Sequence, residues 1–140
     1  MSKSLLLAAA ALSLATASAY ALQTAGAQAQ EGDAAAGAAV FKKCQPCHSV
    51  EPNGTKVGPS LYGVIGRTPG AFVGYKYSPA MVEFGAGGAV WDEATLSQYL
   101  VAPKDMVPKT KMIFPGLPNP QDRANVIAYL ESLVSNGAAQ

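Results

Sequence analysis

One histidine, one tryptophan and two cysteines are all that this 140-residue chain contains of those residue types, and only 14% of it is charged. Two cysteines and one histidine fall short of the paired four-ligand clusters that structural zinc requires. Strand-like alternation of apolar and polar residues is also missing, which removes the βαβ pattern expected of a thioredoxin-like protein. Ten Lys plus Arg stand against nine Asp plus Glu. Without a basic excess there is no bulk electrostatic drive toward nucleic acid. A chain of this length normally builds one domain around one core.

Residues 1–29 read as an export signal: Lys3, an apolar run from Leu5 to about Ala15, then small residues. Cleavage is expected after Ala19 or Ala29, the latter leaving a domain at 30–140. The competing reading is an uncleaved anchor, since Leu5 to Leu22 is uncharged and falls within the roughly 17–25 residues that span a bilayer. Its Ala, Ser and Thr content argues against that. Export places the protein in the periplasm. Loss of Lys3 with the signal leaves nine basic and nine acidic residues (10 − 1 against 9).

Helical signals lie at both ends of the domain. Asp33 caps an Ala-rich run that predicts a helix over 33–43. Asn119-Pro120 opens a second at 120–135, with Val126, Ile127, Leu130, Leu133 and Val134 recurring at helical spacing. Asp92 caps a third at 92–101, which Pro103 terminates, and a shorter turn starts at Ser78-Pro79 and stops near Gly85. The remainder, Ser49 to Val90, is rich in Gly and Pro yet carries Val57, Leu61, Tyr62, Val64, Ile65, Phe72, Tyr75 and Tyr77. An apolar loop well beyond the usual 12–15 residues needs a surface to pack on, and a large flat cofactor provides one.

Both cysteines and the only histidine fall together in Cys44-Gln45-Pro46-Cys47-His48. Two thiols at that spacing can each add across a vinyl group of one porphyrin, while the adjacent imidazole reaches the iron. A disulfide would leave His48 and the apolar loop without a role. With no second histidine, the second axial ligand is sought among Met81, Met106 and Met112. Met112 stands out because it ends an irregular, Pro-bounded segment between two helices.

These pieces resemble, in order, the class I cytochromes c: GxxxF before CQPCH, then KVGPSLYGVIGR, YKYS, VWDEATLSQYL, the VPKTKM segment and RANVIAYL, spanning about Gly32 to Leu133. The resemblance implies an all-α fold, three main helices plus short helices and long loops, wrapping one haem c bound through Cys44 and Cys47. It implies His48 and Met112 as axial ligands, with the Pro59 carbonyl accepting a hydrogen bond from the proximal imidazole. It assigns Arg67, Tyr77 and Trp91 to a buried propionate, Tyr99 to the methionine sulfur, and Thr110 to the same ligand loop. Gly37 and Phe41 would meet Tyr129 and Leu130 where the terminal helices cross. In two places the chain departs from the family. Lys109 stands where the family often has Gly, and the stretch from Tyr77 to Trp91 is longer than in mitochondrial forms.

The function implied is single-electron transfer, not catalysis, by a monomer that meets membranes only transiently. Its partners would be redox proteins with acidic docking surfaces. Lys42, Lys43, Lys56, Lys104, Lys109 and Lys111 are expected to rim an exposed haem edge, with acidic residues such as Asp33, Glu83, Asp92, Glu93, Asp122 and Glu131 elsewhere. The rival is a haem enzyme or gas binder with an open distal side. In the four-helix cytochromes c′ that illustrate it, the motif lies near the C-terminus, whereas here it follows the first helix.

Overall fold

The computed structural model describes residues 30–137. The export segment and its cleavage sites lie outside the described residues. Five helices and no strand occur among those described: α1 (Ala34–Phe41), α2 (Pro79–Ala86), α3 (Glu93–Val101), α4 (Pro103–Met106) and α5 (Pro120–Gly137). None is long and apolar enough to cross a membrane.

Side-chain caps set the starts of α1, α2, α3 and α5. Asp33 Oδ1 accepts the Ala36 N–H at 2.7 Å, Asp92 Oδ1 that of Thr95 at 2.7 Å, Ser78 Oγ that of Met81 at 3.2 Å and Asn119 Oδ1 that of Gln121 at 2.9 Å. Each satisfies an amide the helix cannot pair internally. The ends depart from expectation. Helix α1 stops at Phe41 instead of 43, because Lys43 N–H turns tightly onto the Val40 carbonyl and Pro46 has no N–H to extend the ladder. Pro103 ends α3 as expected but also opens α4, whose first turn needs no N–H from it.

Helix α1 lies directly on α5. A Cβ on Gly37 would come within 1.9 Å of the Asn125 carbonyl oxygen, and one on Gly32 within 2.2 Å of that of Ala124. No side chain fits at either place. Phe41, buried, meets Tyr129 with ring centroids 5.2 Å apart. Asn125 Oδ1 accepts both Asp33 N–H and Gln121 Nε2–H at 2.9 Å, and Gln121 Nε2 also donates to the Glu31 carbonyl at 3.1 Å. The chain entering α1 is thereby tied to α5.

Val126, Ile127 and Leu130 bury the same α5 face, whereas Val134 is 41% exposed despite its helical spacing. Eight residues of α1 reach ~12 Å and eighteen of α5 ~27 Å, so the last turns of α5 run past α1. Helix α3 adds Leu96, Tyr99 and Leu100 to the core, and the Leu100 carbonyl accepts Leu117 N–H at 2.7 Å.

The long loop behaves differently from its apolar reading at one place. Val64 is buried and Leu61, Ile65 and Tyr77 pack against the core, but Val57 is 74% exposed. Val57 serves instead through its carbonyl, which accepts the Tyr75 hydroxyl at 3.0 Å.

Candidate functional site

The Cys44 to His48 stretch continues α1 as a helical turn. Cys44 N–H donates to the Phe41 carbonyl at 2.8 Å, and Cys47 and His48 N–H both donate to the Cys44 carbonyl, at 3.0 and 2.9 Å. Residues four apart in such a turn share a side, so Cys44 and His48 project together. Both thiols are free, Cys44 half-buried and Cys47 exposed. Burial pushes the Cys44 thiol up, with Lys43 opposing. The disulfide reading is therefore not realised. Nor does any group of three or more His, Cys, Asp and Glu side chains suited to a metal occur among the described residues.

His48 Nδ1 lies 2.8 Å from the Pro59 carbonyl oxygen. A carbonyl only accepts, so Nδ1 carries the proton and Nε2 keeps its lone pair. Burial, aided by Lys56, holds the imidazole below its ordinary pKa against the opposing pull of the Pro59 bond. The ring is thus neutral near pH 7 and able to bind a metal through Nε2.

Helix α3 and the segment after α4 build the other ligand. Tyr99, buried at 4% exposure, donates its hydroxyl to Met112 Sδ at 3.4 Å. Burial raises the phenol pKa while a side-chain bond to Thr110 lowers it, so the hydroxyl stays protonated at neutral pH. Thr110 Oγ1 also accepts Met112 N–H at 3.3 Å. The predicted pairing of Tyr99 with the sulfur is present, and Thr110 braces the same residue. Of the other methionines, Met81 is buried in α2 and Met106 half-buried in α4.

Arg67, Tyr77 and Trp91 do converge. The Arg67 guanidinium donates to the Ser60 carbonyl at 2.8 Å and to that of Tyr62 and lies 4.9 Å over the Phe72 ring, with Tyr77 near enough to favour its charged form. Burial, the first cause in each case, lowers Arg67 and raises Tyr77. Trp91 N–H donates to the Arg67 carbonyl at 2.9 Å, and its ring stands 4.8 Å from Tyr99. Sequence reasoning missed Ser60, fully buried, whose hydroxyl donates to the Glu51 carbonyl at 2.6 Å. It also missed the Phe72 platform, since neither residue type signals such a role.

Two of the lysines are held by backbone carbonyls. Lys56 Nζ donates to the Gln45 carbonyl at 2.9 Å, bringing it to the Cys turn, and Lys111 Nζ donates to the Lys76 carbonyl at 2.9 Å. Lys43 stands 3.6 Å from Asp122, so acidic and basic residues are not fully segregated. The cause is the α1–α5 packing, which carries Asp122 to the foot of α1.

Two free thiols, a neutral imidazole with an open Nε2, and a thioether whose neighbour donates to it form a donor set that fits haem c. The sequence profile of the family described as Cytochrome c matches residues 34–134. The chain belongs to the cytochrome c family. Cytochrome c2 of Rhodoblastus acidophilus is 47% identical over 108 residues, covering 76% of this chain and 98% of that one. Cytochrome c of Gossypium barbadense is 48% identical over 106 residues, 74% of this chain and 93% of its own. Among solved structures, cytochrome cH from Methylobacterium extorquens is 46% identical with a TM-score of 0.65, covering 72% of this chain and 99% of that one. As a cytochrome c, the chain holds one covalently bound haem c and is a monohaem electron carrier, not an enzyme. The all-helical expectation for the fold agrees with both the helices and this relationship.

Proposed function

We propose that this cytochrome c shuttles single electrons between periplasmic or membrane-bound redox proteins, with His48 and Met112 as the axial ligands of its iron. The observation that carries this is the Tyr99 hydroxyl on Met112 Sδ at 3.4 Å, which fixes one thioether in an otherwise irregular segment. A donor on one sulfur lone pair leaves the other for a metal. Cys44 and Cys47 would hold the macrocycle, and Pro59 would orient His48 and strengthen it as a donor. Arg67, Tyr77 and Trp91 would enclose a propionate, since each offers an N–H or O–H to a desolvated carboxylate. Haem supplies a one-electron couple, whose potential His/Met ligation and burial raise relative to other ligand sets.

Residues 1–29 would direct export and leave the domain at 30–140. Lysines at 42, 43, 56, 104, 109 and 111 would rim the exposed edge and orient acidic partners before contact. The bond from Lys56 to Gln45 supports that placement by setting one of them beside the Cys turn.

Carbon monoxide tests the ligand assignment. The reduced native protein should leave its visible spectrum unchanged under the gas, and reduced Met112→Ala should bind it readily. Binding by the native protein would point to an open distal side. Binding by Met81→Ala or Met106→Ala, but not Met112→Ala, would move the ligand elsewhere.

A further inference from the structure

Two distinct requirements call for glycine among the described residues. At Gly63, Gly66, Gly70, Gly74, Gly88 and Gly116 the backbone has positive φ, and that alone favours glycine. Gly58 does not, since its φ lies outside the left-handed range. Its requirement comes from one neighbour. A Cβ there would lie 2.5 Å from Cε1, 2.7 Å from Nδ1 and 3.0 Å from Nε2 of His48, and these ring atoms are its three nearest contacts.

Neither side can yield freely. Gly58 N–H donates to the Cys47 carbonyl at 2.8 Å, and its own carbonyl accepts Lys56 N–H at 3.0 Å. The ring is held in turn by the Pro59 carbonyl through Nδ1 at 2.8 Å. The imidazole edge is thus enclosed by two consecutive residues, one binding it and the other leaving it room.

We infer that Gly58 is a positioning residue for His48: the missing side chain at 58 sets the imidazole plane and, through it, the strength with which Nε2 holds iron. The inference rests on His48 being the proximal ligand. Any Cβ at 58 pushes the ring away from the 58–59 segment and lengthens the Nδ1–H···O bond. A histidine with a weaker outer bond is a weaker donor, which disfavours the ferric form and raises the reduction potential.

The test compares holo-proteins carrying Gly58→Ala and Gly54→Ala. Gly54 lies in the same loop, and its Cβ would meet Ser49 Oγ at 2.3 Å, so Gly54→Ala strains the loop without touching the ring. Gly58→Ala should shift the redox equilibrium about tenfold toward the reduced form, ~59 mV for one electron, while Gly54→Ala leaves the potential in place. Equal shifts in both variants, or none in Gly58→Ala, would overturn the inference. If Gly58→Ala does not accumulate as holo-protein, the native ferric protein gives the reading by proton NMR. One set of hyperfine-shifted His48 signals persisting up to unfolding supports the enclosed ring, and a second exchanging set overturns it. Absence of hyperfine shift on His48 would instead remove the ligand assignment itself.

Discussion

Helix α1 meets α5 backbone to backbone, whereas the chain between Ser49 and Ser78 has no helix of its own and is pinned one hydrogen bond at a time. On the first side, Gly37 brings α1 within a Cβ's width of the Asn125 carbonyl, and Phe41 closes on Tyr129. On the second, Ser60 holds the Glu51 carbonyl, Arg67 those of Ser60 and Tyr62, Tyr75 that of Val57, and Lys111 that of Lys76. Side chains there join scattered backbone bonds, such as Leu61 N–H to the Ser49 carbonyl and Gly66 N–H to that of Trp91, in place of a helix ladder. An isolated eight-residue helix is marginal in water, so α1 owes its order to α5. The loop owes its order to scattered polar bonds and to whatever its apolar residues cover. Stability is therefore concentrated in the terminal helices, and the Cys44 to His48 turn follows directly on the first of them.

Gly37→Val should break this comparison most severely. The obstructing atom is backbone, which cannot swing aside, and the cost should be about 3 kcal/mol, at the upper end for overpacking. Denaturant unfolding of the holo-protein measures it, and a loss below ~1 kcal/mol would mean that the helices can slide apart cheaply.

Lys109→Gly acts on the loop side and in the opposite direction. Lys109 has φ 66, a left-handed conformation costing a side-chain-bearing residue roughly 1–2 kcal/mol. Glycine relieves that strain but gives back about 0.4–1 kcal/mol through the freer unfolded chain. A net gain of about 0.5–1 kcal/mol is expected in the same unfolding experiment, and a loss would show that the Lys109 side chain makes a stabilising contact.

Lys104→Glu should alter stability least, by about 0.5 kcal/mol or less as for most surface changes, because Lys104 is exposed on α4. Its effect should appear in rate. Electron transfer to an acidic partner should slow, and its decline with added salt should flatten, as the Debye length falls to about 8 Å near physiological strength. A rate indifferent to both would remove the lysine rim. Lys43 is a poorer probe, since Lys43→Glu would also face Asp122.

How much of this was readable beforehand follows from range. Asp33, Ser78, Asp92 and Asn119 cap amides two or three residues away, so four helix starts were visible in the sequence. The Cys44 to His48 unit is equally local. Met112 stood out by its irregular Pro-bounded segment, but its pairing with Tyr99 needed the family's order of segments, because nothing in their spacing dictates that a hydroxyl meets a sulfur. Gly58 was hidden among fourteen glycines, its role created by a ring ten residues away. The pairing of Lys43 with Asp122 was invisible for the same reason, being set by how α1 crosses α5. Helix α4 was missed because Pro103 reads as a stop signal when it is both a stop and a start.

The bond from Asp33 N–H to Asn125 spans 92 residues, and it gives the molecule a clock. A chain growing from its N-terminus finishes α1 early, yet the surface that α1 needs is made almost last. Until α5 arrives, α1 and the turn that follows it have no lasting partner, and both thiols stay open to approach. Closure then comes late and cooperatively, as contacts distant in sequence require. A chain cut short before Pro120 would keep its full thiol and imidazole set but have nothing to shut it.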